Sequence, residues 1–169
     1  SPSKVWAHAN ADILMLDKLY PPSKTTATRP SARLSKGNNN VCAIHHSANR
    51  NTLLCATISF GDGASRVTTV AADVVDERSL QSAFEHCLAQ LGPPSVLHYN
   101  VGIVVNGGLD ALESSAFRTA LDVNLTGAFS SMKLVLPYLR EAGGGAIITV
   151  SSVGGMRYMG YDYPAYAAS

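Results

Sequence analysis

From about Arg66 onward, apolar and polar positions alternate between short extended runs and longer helical stripes. Val67–Ala71 is rich in β-branched residues and is followed by the polar Asp73, the pattern of a buried strand meeting a loop. Asp76 is placed to cap a helix from Glu77 to about Leu91, whose Leu80, Phe84, Cys87, Leu88 and Leu91 share one face. Gly92-Pro93-Pro94 stops it. Val96-Leu97-His98-Tyr99 then reads as a short strand running into Asn100-Val101-Gly102. Ser114 is expected to cap a long helix reaching about Glu141, with Phe117, Leu121, Ala128, Met132 and Val135 as its stripe. Gly143-Gly144-Gly145 breaks that helix, and Ala146–Val150 is the next strand.

Strands alternating with helices of this length call for parallel strands joined by right-handed crossovers, hence an α/β, doubly wound sheet. In such sheets ligands sit beyond the carboxyl ends of the strands. Asp73, Asn100 and Ser151-Ser152 all follow strand-like runs directly, so they are expected along one rim. The first forty residues are less legible. Ile13–Leu16 reads as an early strand, Ala32–Gly37 as the end of a helix and Val41–Ile44 as a further strand.

Composition narrows the class. At 169 residues, 46% of them apolar and 14 of them glycine, the chain has the makings of one globular domain with a real core. A net charge of +1 gives no basis for nucleic-acid or membrane affinity. Three cysteines, Cys42, Cys55 and Cys87, lack metal-ligand spacing and form an odd set, as expected of reduced thiols in a cytoplasmic protein. His45-His46 has no further ligand-type residues at suitable spacing, so no metal site is expected. No run of about 18 apolar residues occurs and no signal peptide is evident. The chain begins at Ser1 rather than Met, and both ends read as cut from a longer product.

The candidate chemistry lies at the end of the chain. Ser151-Ser152-Val153-Gly154-Gly155 follows a strand, and Tyr166, in Tyr163-Pro164-Ala165-Tyr166-Ala167-Ala168-Ser169, lies fourteen positions after Ser152. A tyrosine phenol with its ordinary pKa of about 10 needs a neighbouring cation to exchange protons near neutral pH. Asn124, in Asp122-Val123-Asn124-Leu125-Thr126-Gly127, falls on the apolar face of the long helix. A buried amide must be hydrogen-bonded; on its own it reads equally as a structural bond to a neighbouring strand or as part of a site. Asn100-Val101-Gly102 is a turn at a strand end, and Asp73 suits a turn as well as a ligand.

The Ser152…Tyr166 arrangement resembles the Ser…Tyr-x-x-x-Lys active site of the short-chain dehydrogenase/reductase family, whose lysine falls on the position after Ser169. The resemblance runs from about Val41 to Ser169 and is specific from Val67. It implies a Rossmann-type doubly wound parallel sheet, incomplete at the C-terminus. A poorly legible segment, 1–40, precedes an incomplete dinucleotide-binding domain, 41–169. It further implies NAD(P)-dependent hydride transfer between a small-molecule alcohol and a carbonyl. Tyr166 would then exchange the proton and contact the cofactor, Ser152 orient the substrate oxygen, and Asn124 support a proton relay. Asn100, Val101 and Gly102 resemble the family's Asn-Ala-Gly turn beside the adenosine half, with Tyr99 replacing a preceding asparagine. Asp73-Val74 resembles the Asp-Val pair at the adenine ring.

After Val41–Ile44 the chain offers Ser47 and Arg50 but no acid for a ribose 2′-OH. This favours NADP, with NAD as the alternative. The family's glycine-rich Thr-Gly-x-x-x-Gly-x-Gly loop falls near Tyr20–Ala27, where prolines and threonines stand instead. Family members commonly form homo-oligomers through the long helix and the next one. The reading is therefore an oxidoreductase, as a truncated or altered family member. The alternative is a catalytically silent fold of the same type, serving as a nucleotide-binding or interaction module. An α/β hydrolase is set aside for want of a Gly-x-Ser-x-Gly elbow.

Overall fold

A computed structural model describes residues 10–14, 40–46, 53–59 and 66–169. Among the described residues six strands form one sheet: β1 (Asn10–Leu14), β2 (Asn40–His46), β3 (Leu53–Ser59), β4 (Arg66–Ala72), β5 (Val96–Asn100) and β6 (Ala146–Ser151). Their order is β1-β6-β5-β2-β3-β4. Helix α1 (Glu77–Leu91) joins β4 to β5, and α2 (Ser114–Leu121) with α3 (Gly127–Glu141) joins β5 to β6. A short α4 (Pro164–Ala167) follows β6.

The architecture is a Rossmann-type α/β fold, incomplete. β2, β5 and β6 pair in parallel, and β4 runs the same way because both it and β2 are antiparallel to β3. Two strands depart from the expected all-parallel sheet. β3, which the apolar pattern did not suggest, is inserted antiparallel between β2 and β4. Connector length explains it: only residues 47–52 and 60–65 flank β3, whereas a parallel return needs a crossover of a dozen residues or more. The early strand expected at Ile13–Leu16 is present as Asn10–Leu14, but it lies at the sheet edge, antiparallel to β6. Leu14 pairs with Ile147 and Asn10 with Ser151, so β1 ends at the rim opposite the carboxyl ends of β5 and β6. The segments Tyr20–Ala27 and Ala32–Gly37 lie outside the described residues.

β2 takes the central place beside β5, with His45 opposite Asn100. In the doubly wound order 3-2-1-4-5-6, the strand beside the fourth is the first. β2 therefore occupies the first strand's place, not the second's, and leads into a hairpin. The carboxyl ends of β4, β2, β5 and β6 share one rim.

The core lies between the sheet and the α1/α3 layer. Cys42 and Ile44 of β2, Leu97 and Tyr99 of β5 and Ile147 of β6 alternate toward it, meeting Leu80, Phe84 and Cys87 of α1 and Val135 and Leu139 of α3. Phe84 and Tyr138 close the layer edge-to-face with centroids 5.4 Å apart. α1 begins as expected, with the Asp76 carboxylate accepting from Arg78 N at 3.0 Å. The long helix does not use Ser114 as its cap. Glu113 is the extended boundary residue, and its carbonyl already accepts from Phe117 N.

At the opposite rim, fully buried Asn40 donates through Nδ2 to the carbonyls of Leu91 (2.6 Å) and Pro93 (3.3 Å). It thereby satisfies the Leu91 carbonyl, which the end of α1 leaves open. Asn40→Ala is expected to lower stability by about 1–2 kcal/mol, since it removes the donor to the Leu91 carbonyl while also removing the unpartnered Asn40 Oδ1. Urea unfolding with an unchanged midpoint would rule this latch out.

Candidate active site

The rim is assembled from three strand ends and one helical irregularity. Beyond β4, the backbone N–H of Asp73 donates to Ser79 Oγ at 3.0 Å, and the Asp73 carboxylate accepts from Val75 N at 3.0 Å. Asp73 thus closes its own turn ahead of α1. Val74 is buried in the core. Beyond β5, Val101 is also buried while Asn100 is exposed. Gly102 passes close to Asn124, whose Oδ1 would lie 3.7 Å from a β-carbon at that glycine.

Asn124 sits in a single π-turn, Asp122–Thr126, between α2 and α3. Here Gly127 N donates to Asp122 O, five residues back instead of four; turns of this kind recur at functional sites. The Asn124 side chain makes a two-point clamp on the loop after β5. Its Oδ1 accepts from Ile103 N at 2.8 Å, and its Nδ2 donates to Ile103 O at 3.1 Å. Nδ2 also donates to Ser169 Oγ at 2.7 Å. Ser169 Oγ in turn donates to Tyr166 O at 3.2 Å. The Asn124 side chain thus ties the β5 loop to the turn bearing Tyr166.

Ser152 is the boundary residue of a short 3₁₀ turn, Val153–Gly155, and its Oγ accepts from Gly154 N at 3.2 Å. A β-carbon on Gly154 would lie 3.1 Å from Tyr163 Oη and 3.2 Å from Tyr166 Cε1. Glycine lets the Ser152 turn lie directly against the Tyr166 ring. Tyr166 meets Tyr163 edge-to-face at 5.5 Å, and Tyr163 stacks on Tyr161 at 6.0 Å. Met156, Tyr158 and Tyr161 project into solvent beside them. Ser152, Tyr166 and Asn124 are thus linked through Gly154 and Ser169. Asp73 lies farther along the rim, beyond β2 and β3. Ser47 and Arg50 lie outside the described residues.

Two residues escaped the sequence reading. Ser169 stands three positions after Tyr166, just beyond the end of α4, and the Tyr-x-x-Ser spacing was the available signal. Tyr99 was seen only as a departure from a motif; its hydroxyl donates to Val123 O at 2.8 Å within the π-turn. Burial drives the Tyr99 phenol well above its ordinary range, so it remains a hydrogen-bond donor at all working pH values. Among the described residues no group of three metal-ligating side chains gathers, and no helix is long and apolar enough to cross a membrane. A surface cleft of about 650 Å³ between α1 and α3 contains none of these rim residues.

A sheet of this order, with polar residues gathered on its carboxyl rim, belongs to the Rossmann-type α/β class. The chain belongs to the short-chain dehydrogenase family, whose model matches residues 27–169. It is 32% identical to a 3-ketodihydrosphingosine reductase of Bacteroides thetaiotaomicron over 109 residues, covering 64% of this chain and 40% of the relative. It is also 32% identical to a trans-4-hydroxycyclohexanecarboxylate dehydrogenase of Sinomonas cyclohexanicum over 115 residues, covering 68% and 43%. Among solved structures, the aldohexose dehydrogenase of Thermoplasma acidophilum is similar at 26% identity with a TM-score of 0.56, over 64% of this chain and 42% of that one. The chain thus spans about two fifths of the length of these relatives.

Proposed function

We propose that this chain carries the proton-transfer half of an NAD(P)-dependent dehydrogenase acting on a small alcohol or carbonyl. The observation that carries the reading is the bond sequence from Ile103 through Asn124 and Ser169 to the Tyr166 turn, against which the Ser152 turn packs. In this scheme the Tyr166 hydroxyl delivers its proton to the substrate oxygen during reduction and takes it back during oxidation. The Ser152 hydroxyl donates to the same oxygen and fixes its direction. Asn124 holds the Tyr166 turn against the loop after β5, so the acid stays in register with the rim. General acid catalysis by one positioned group contributes about 10²–10⁴-fold, and positioning adds to that only while the geometry is held.

A nicotinamide cofactor, when bound, supplies the hydride. The described residues fit such a group over part of its length. Asp73 and Asn100–Gly102 offer a polar rim for the adenosine half, and Tyr166 stands at the nicotinamide end. At the central strand the fit differs. β2 continues into the antiparallel β3, so the helix N-terminus that usually meets a pyrophosphate does not follow it directly.

NADP(H) is the favoured form. The preference rests on composition alone: residues 45–50 after β2 hold Arg50 and no acid, which suits a 2′-phosphate over a 2′-OH, although β2 takes the first strand's place and the rule concerns the second. Titrating both reduced cofactors against the protein is expected to give the lower dissociation constant for NADPH. Tighter NADH binding would refute the assignment.

The reading itself is tested by following NAD(P)H oxidation over a panel of aldehydes and ketones, beside Ser152→Ala and Tyr166→Phe variants. Turnover that survives both substitutions would overturn it.

A further inference from the structure

We infer that Tyr99 is a positioning residue for Asn124, its hydroxyl fixing the π-turn that presents the Asn124 amide to the rim. This rests on the reading of Asn124 given above, but it concerns a contact that reading does not use.

The argument begins with the helix hydrogen bonds. In a regular α-helix the Val123 carbonyl would accept from Gly127 N. Here Gly127 N is directed to Asp122 O, and the Tyr99 hydroxyl donates to Val123 O from the neighbouring strand. A side-chain donor thus stands where the α-helical donor would be. Tyr99 is 2% exposed, and a buried hydroxyl without a partner is costly, so this bond and the π-turn stabilise each other.

Packing enforces the same arrangement. A β-carbon on Gly127 would lie 2.8 Å from Tyr99 Oη and 2.8 Å from the Val74 β-carbon. The helix can approach the tyrosine only because residue 127 is glycine. Tyr99, Gly127 and Val74 form a three-way contact directly beneath Asp122–Thr126, and Asn124 lies inside that turn. If the turn reverted to α-helical bonding, one residue would be taken out of its winding. Asn124 would rotate by roughly 100°, away from Ile103 and Ser169. The strand residue before Asn100 therefore governs the orientation of an amide on the long helix.

The test uses amide hydrogen exchange and NMR on the full 169-residue chain. Ile103 N–H, held by Asn124 Oδ1, reports Asn124 placement. Leu80 N–H and Gly92 N–H, held within α1, report global opening. Tyr99→Phe keeps the ring and removes the hydroxyl; Asn124→Ala gives the full loss of the reporter bond. In Tyr99→Phe we expect Ile103 to exchange about tenfold faster, the order of one lost hydrogen bond, with the α1 amides unchanged. An unchanged Ile103 overturns the inference. Equal acceleration at Leu80 and Gly92 overturns it too, because Tyr99 would then act as core packing only. In the unsubstituted chain, the Tyr99 hydroxyl proton is expected to show cross-relaxation with the Gly127 α-protons, and its absence would also overturn the inference. Should Ile103 respond while Tyr166→Phe leaves turnover intact, the positioning role stands and the dehydrogenase reading falls. The reverse pair of results removes the positioning role alone.

Discussion

Replacing Tyr166 with phenylalanine is expected to lower carbonyl reduction by about 10²–10⁴-fold while leaving cofactor binding close to normal. The substitution deletes one hydroxyl. The ring contacts that seat the residue, edge-to-face with Tyr163 and against Gly154, are kept. The Tyr166 carbonyl, which anchors Ser169 Oγ and through it Asn124, is untouched as well. A loss of rate would therefore report proton transfer and not collapse of the site. Tyr163→Phe is the control: its ring is likewise packed, but its hydroxyl sits over Gly154, and it should retain most turnover. The measurement is single-turnover reduction with cofactor affinity determined in parallel. Comparable losses in both variants would mean that the cluster acts through packing and that Tyr166 is not the acid.

Asn124→Ala is expected to cost about 2–4 kcal/mol of stability, from the loss of partners by both the N–H and the carbonyl of Ile103. Each group is only partly buried, so water recovers some of the loss and the upper end of the range is a ceiling. Alanine is the better helix former, but that advantage of less than about 1 kcal/mol does not offset two orphaned backbone groups. For a chain of this size the change corresponds to a fall in Tm of roughly 5–15 °C. Thermal unfolding followed by circular dichroism measures it. A melting temperature equal to that of the unsubstituted chain would show that the β5 loop is held by other contacts.

Much of the fold was legible where one face of an element is buried and the other is wet. α1 could be bounded as Glu77–Leu91 because its cap, its stripe and its Gly-Pro stop all agree. β5 and β6 were legible from short apolar runs between turn residues. β3 was not, because Leu53–Ser59 lies outside the strand–helix rhythm, and without it the two hairpins flanking it could not be inferred. The edge position of β1 was hidden for another reason: no local pattern records that Asn10 faces Ser151. At the rim, Ser152, Tyr166 and Asn124 were marked by residue type and spacing. The bonds joining them were not, since Asn124–Ser169 and Tyr99–Val123 span 45 and 24 residues. The π-turn was invisible too. One extra residue in a helix shifts the apolar stripe by less than the width of the stripe itself, so Leu121 and Ala128 read as one continuous face.

The sheet order also fixes a sequence of events during synthesis. β2, β3 and β4 are neighbours in the chain as well as in space, so their pairing can begin as soon as Ala72 has left the ribosome. β5 then joins β2, and β6 joins β5, each only after its intervening helix has been made. Among the described strands β1 comes before the others in the chain, yet its partner β6 comes after them. Until Ser151 has been made, β1 lacks the partner strand it has in this sheet, so an edge formed by early residues waits for late ones.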